Sequence, residues 1–131
     1  MKIGFDTGFF VELFRGRKEA VEVWEKVVEG EYEAFVSCLT LYELNRLALK
    51  GKLSGSSINA VVEALVNASV VVWITDADVC RRAASLSHEL GIPSVDALIL
   101  SCLAGKGVQE IYTTDRHLAL CRAAGVVVRL L

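Results

Sequence analysis

Val70-Val71-Val72-Trp73-Ile74 is an unbroken apolar run of strand-forming residues. With no polar alternate, it predicts a strand buried on both faces, as in a parallel sheet covered by helices. The rest of the chain fits that reading. Short β-rich runs at 2–5, 34–37, 110–113 and 126–130 alternate with helical patterns near 8–15, 17–29, 41–50, 57–68, 77–90, 93–104 and 116–124. Gly91 and Gly125 stop two of the helices, and Pro93 suits the first turn of a third. The expected fold class is α/β. Right-handed crossovers then bring the C-terminal end of every strand to one edge, where ligands bind in such sheets.

With 131 residues, of which 53% are hydrophobic and one is proline, the chain is expected to form one ordered domain over residues 1–131. No apolar run is long and uncharged enough to span a bilayer, so no membrane partner is expected. Met1-Lys2-Ile3-Gly4-Phe5-Asp6 reads as a strand and not as a signal peptide, which implies a cytoplasmic location. Cys38, Cys80, Cys102 and Cys121 form no CxxC pair and no zinc pattern with His88 and His117. Each lies in an apolar stretch, so buried reduced thiols are expected.

Four carboxylates carry the functional information: Asp6, Glu43, Asp96 and Asp115. Each stands where a strand ends or a helix begins, so a parallel sheet gathers all four at one edge. Each also has a private explanation. Asp6 and Asp115 can cap the helices after them. Glu43 can close a capping box with Thr40 as the cap. Asp96 can answer the dipole of its helix. Asp96 nevertheless opens an otherwise apolar helix, and a buried acid there needs a partner. Four acids in one hollow repel each other unless a divalent cation lies among them, which points to metal-assisted phosphodiester chemistry. Asp76, in Asp76-Ala77-Asp78, is a decoy, because its strand is expected at the outer edge of the sheet. Asp6-Thr7-Gly8 matches the aspartic-protease triplet, but those folds are almost entirely β. The formal charge is −2, yet removing the four site acids from 16 leaves 12 against 14 Lys and Arg. The remaining surface is slightly basic, which permits an RNA partner.

Ile3-Gly4-Phe5-Asp6-Thr7-Gly8-Phe9-Phe10, Ser37-Cys38-Leu39-Thr40-Leu41-Tyr42-Glu43-Leu44, Val95-Asp96-Ala97-Leu98-Ile99 and Thr113-Thr114-Asp115 resemble, in order, the four motifs of PIN domains. The size is similar to the stand-alone members, the VapC-type toxins of VapBC toxin–antitoxin pairs. The resemblance implies a three-layer α/β/α fold with a five-stranded parallel sheet. It also implies an Mg²⁺- or Mn²⁺-dependent ribonuclease, a homodimer, and a cognate antitoxin whose tail covers the active site. Leu118 stands where the family often has an aromatic, and Leu100 where a small residue is usual.

On this reading Asp6, Asp96 and Asp115 hold the metal. Glu43 completes the set or orients the attacking water, with Thr7 and Thr113 bonding the carboxylates from behind. Arg116 and His117 are candidates to touch RNA phosphates. The alternative is a degenerate domain that binds RNA or protein without cutting. A receiver-type domain is disfavoured, because no lysine follows Lys106. Val61 and Val62 cannot share one helix face, so surplus apolar surface on helices 41–50 and 57–68 is expected to form a two-fold dimer.

Overall fold

The computed structural model describes residues 1–52, 55–119 and 126–131, without the side chains of 55–57 and 117. The end of the last helix at Gly125, together with Cys121, lies outside the described residues. The chain runs β1 (Lys2–Phe5), α1 (Thr7–Phe14), α2 (Lys18–Val28), β2 (Glu33–Ser37), α3 (Cys38–Leu49), α4 (Gly55–Ala68) and β3 (Ser69–Val72). It continues through α5 (Ala77–Leu90), α6 (Ser94–Ala104), β4 (Glu110–Thr113), α7 (Arg116–Ala119) and β5 (Val127–Leu130). The five strands are all parallel, in the order β3-β2-β1-β4-β5.

The two-residue period of the strands divides the core into two layers. Ile3, Phe5, Ala34 and Val36 face α1 to α4, where Phe9, Phe10, Leu44, Ile58 and Leu65 are buried with them. Phe35, Val72 and Ile111 face the opposite layer, with Val79 and Ala83 of α5 and Ala97, Leu100 and Leu103 of α6. Gly4 lets α6 approach β1. A Cβ there would stand 3.0 Å from Leu103 Cδ1 and 3.1 Å from Ile111 Cγ1.

The run that announced the sheet is not its buried centre. β3 is the outer strand and ends at Val72; Val70 is 43% exposed and Trp73 61%. The doubly covered strands are β1 and β2, whose residues after the first are all buried. The parallel arrangement was read correctly from a strand that does not itself obey the burial argument.

Three further expectations need correction. The helix predicted from residue 41 begins at Cys38, because Ser37 is its cap and accepts from the Leu39 N–H at 3.2 Å. Thr40 is therefore a buried residue inside α3 and not its cap. Cys102 is buried, but Cys38 is half-buried and Cys80 exposed on α5. Val61 and Val62 are both half-buried and pack on the core; the apolar side chains left exposed on the two helices include Leu49 and Val66. Among the described residues no helix is long and apolar enough to cross a membrane.

Candidate active site

The chain lays down β1, β2 and β3 outward in one direction, then places β4 on the other side of β1. The strand order therefore reverses between β1 and β4, which opens a crevice at their C-terminal ends. Asp6 follows β1 and Asp115 follows β4, one on each side.

Asp6 is 7% exposed. Its Oδ1 accepts from the Phe9 N–H at 2.9 Å, which caps α1, and its Oδ2 accepts from the Thr113 hydroxyl at 2.5 Å. Thr113 Oγ1 in turn accepts from the Asp115 N–H at 3.0 Å. One buried threonine thus ties the two acids across the crevice. Below them an aromatic cluster fixes α1 to the sheet. The ring centroids of Phe5 and Phe9 are 4.4 Å apart, and Phe5 stacks on Tyr112 of β4 at 5.9 Å. Gly8 closes the arrangement: a Cβ there would lie 2.0 Å from Thr114 Oγ1. Any larger residue would force the Thr114 side chain to shift.

Glu43 reaches the same hollow from α3. Its Oε1 accepts from the Thr7 hydroxyl at 2.6 Å, and Thr7 shares a hydroxyl–hydroxyl bond of 3.3 Å with Thr40. The capping box expected of Thr40 and Glu43 is absent: the cap is Ser37, and the glutamate is tethered to α1 instead. Thr40 is the residue that sequence reasoning placed wrongly. The signal was Ser37, a better cap sitting directly at the strand end.

Asp96 lies in the first turn of α6 and is half-buried. Its carboxyl is pushed up to about 6, first by burial and then by the charges of Glu43, Asp115 and Asp6. Asp6 is also raised. Burial is again the main cause, opposed by the bonds from Thr113 and Phe9 and reinforced by Glu43 and Asp115. The four predicted acids therefore share one electrostatic field. Oxygen-only donors of this kind suit a hard divalent cation. Among the described residues no three His, Cys, Asp or Glu side chains are gathered closely enough to close around a single ion.

The remaining candidates separate cleanly. Thr7 and Thr113 both bond site carboxylates. Arg116 is exposed at the start of α7, beside Asp115. The His117 side chain lies outside the described residues. Asp76 is a helix cap, bonded to the N–H groups of Asp78 and Val79 two strands away from the crevice. Arg15 and Arg17 pair with Glu12 and Glu19 on the surface.

The model of the PIN domain matches residues 3–125. The chain belongs to the PIN domain family. Solved structures share the fold over nearly all of this PIN domain's length. A toxin–antitoxin complex from Klebsiella pneumoniae matches with a TM-score of 0.72 and 23% identity, covering 95% of each chain. VapBC2 from Rickettsia felis, bound to a DNA fragment from its promoter, matches at 0.78 and 15% identity, covering 100% of this chain and 99% of that one. FitAcB from Neisseria gonorrhoeae matches at 0.63 and 20%, covering 96% and 95%. The chain matches none of the curated proteins compared with it.

Proposed function

We propose that this PIN domain is a divalent-metal-dependent ribonuclease, the toxin of a toxin–antitoxin pair, acting on RNA through Asp6, Glu43, Asp96 and Asp115. The observation that carries the proposal is the gathering of four acids beside the crevice between β1 and β4, where burial and then the other three charges push Asp96 up to about 6. A site that strains one acid against three has use for a cation. Mg²⁺ or Mn²⁺ fits the donor set. Mg²⁺ keeps several waters and binds through one or two carboxylates.

Asp6, Asp96 and Asp115 would hold the ion, directly or through water. When bound, the ion polarises the phosphate and lowers the pKa of the attacking water. Thr113 fixes Asp6 and the Asp115 backbone, so the β1–β4 side needs little rearrangement. Glu43 Oε1 accepts from the Thr7 hydroxyl, and Oε2 would accept from a water and orient it for in-line attack. Arg116, exposed at the start of α7, would hold an RNA phosphate.

The toxin role rests on the likeness to solved toxin–antitoxin complexes, and it makes a cognate antitoxin the expected protein partner. A two-fold homodimer is the expected assembly. Supporting it are exposed Leu49 and Val66 and a groove of about 290 Å³ between α3 and α4, lined by Asn45, Ala48, Leu49, Ile58 and Asn59. Light scattering at micromolar concentration tests the dimer. The test of function is incubation of purified protein with assorted structured RNAs in Mn²⁺ and in EDTA. Cleavage should occur in Mn²⁺ and stop in EDTA. RNA bound but never cut would favour the degenerate binding domain.

A further inference from the structure

The solvent face of α3 is an unusual strip in an acidic chain. Residues 44–62 contain no acid, while Arg46, Lys50 and Lys52 fall among them. By contrast, Glu19, Glu22, Glu25, Glu29, Glu31 and Glu33, on and after α2, are all exposed. Among the described residues, Arg46 and Lys50 make no ion pair. Tyr42, Arg46 and Lys50 recur every fourth residue, so they form one ridge, with side chains about 6 Å apart along the axis. The ridge starts at the residue before Glu43, whose position in the site is set by its bond to Thr7. Tyr42 is 56% exposed, and among the described residues no ring contact involves it. Arg46 and Lys50 are exposed cations on the same helix as Glu43.

From this we infer that the Tyr42–Arg46–Lys50 ridge is the track for single-stranded RNA leading to the acids: Tyr42 stacks on an unpaired base beside the scissile phosphate, and Arg46 and Lys50 hold the phosphates that follow. The inference rests on the ribonuclease reading and extends it to substrate form. Exposed tyrosines give an unpaired base a flat apolar surface whatever its identity, and cations one helical turn apart neutralise consecutive backbone charges. A duplex keeps its bases stacked on each other and offers Tyr42 nothing. The groove between α3 and α4 borders the ridge, since its lining residues Asn45 and Leu49 lie three residues beyond Tyr42 and Arg46.

The test measures cleavage kinetics in Mn²⁺ and binding of a short fluorescent single-stranded RNA. Binding is read by anisotropy in the Asp96→Asn background, so that the probe is not cut. Tyr42→Ala should raise KM about tenfold or more with kcat retained, and Tyr42→Phe, which keeps the ring, should restore it. Arg46→Gln should weaken binding of all sequences alike and flatten the salt dependence by about 0.7 in the log–log slope. Tyr42 is exposed, so these proteins should melt as the wild type does. If Tyr42→Ala binds and cleaves as the wild type does, the track is wrong and the ring faces a protein partner instead. If Tyr42→Phe fails as badly as Tyr42→Ala, stacking is wrong. If the wild type neither binds nor cuts RNA, the ribonuclease reading falls first and takes the track with it.

Discussion

The two sides of the hollow are built differently. On the β1–β4 side, Asp6 is buried, caps α1 and accepts from Thr113, which also holds the Asp115 backbone. On the α3–α6 side, Glu43 has one tether and Asp96, among the described residues, has no side-chain hydrogen bond. One side is integrated with the core; the other is held in place by helices while its charges push against their neighbours. Carboxylates that serve folding can be satisfied by protein donors. A carboxylate left unsatisfied among like charges is poised for something from outside.

The sharpest way to break this comparison is Asp96→Asn. RNA cleavage should fall by at least about 100-fold, while stability at neutral pH holds or rises, because one member of a repelling set is neutralised. Wild-type cleavage rates in the variant would make Asp96 structural. Next in size is the response to divalent ions. Only the folded state gathers the acids, so Mn²⁺ at about 100 times its Kd should add roughly 2.7 kcal/mol of stability. Thermal melts in Mn²⁺, Mg²⁺ and NaCl of equal ionic strength read this directly. Equal midpoints in all three would remove the cation from the argument.

The two threonines sharpen the contrast further. Thr113→Val removes the hydroxyl that donates to buried Asp6 and accepts from the Asp115 N–H, and should cost about 1–3 kcal/mol in a urea melt. Thr7→Val frees a half-buried glutamate and should cost well under 1 kcal/mol of stability. Its cost should fall on cleavage, by about tenfold. If the two variants prove equally destabilised, the division between the sides fails.

The smallest effect is on pH. Asp96 holds its proton to about pH 6 in the native state, against an ordinary value of 3.8. Between those values the native state binds more protons than the unfolded chain, so this group's contribution to stability declines as pH rises through the window. Solvent screening at a half-buried carboxyl reduces the expected change to roughly 1 kcal/mol. Urea midpoints in EDTA at pH 4.5 and 7, compared between wild type and Asp96→Asn, isolate it. A difference between the two proteins that does not vary with pH would contradict the strained-acid account.

Much of the architecture was legible because strand and helix periods are local. The four acids were legible because parallel topology sends every strand end to one edge. What escaped the sequence was tertiary. Whether Val70 and Trp73 are covered depends on how many strands lie beyond them, and a run of side chains does not record that. Ser37 and Thr40 are both plausible caps, and the choice depends on where β2 ends. The bond from Thr7 to Glu43 joins residues 36 apart. Nothing in either motif alone announces it. Gly8 is required by a neighbour distant in sequence, since a Cβ there would meet Thr114 Oγ1.

The hydrogen bond from the Phe9 amide to Asp6 has a practical use. A backbone N–H exchanges with solvent deuterium only when its bond opens, and this one opens only when Asp6 lets go. The same carboxylate is a proposed ligand for the cation. The exchange rate at Phe9, read by NMR or by mass spectrometry of the surrounding peptide, is therefore a label-free gauge of occupancy at Asp6. It needs no substrate, and it would work equally well in a variant that has lost all power to cut.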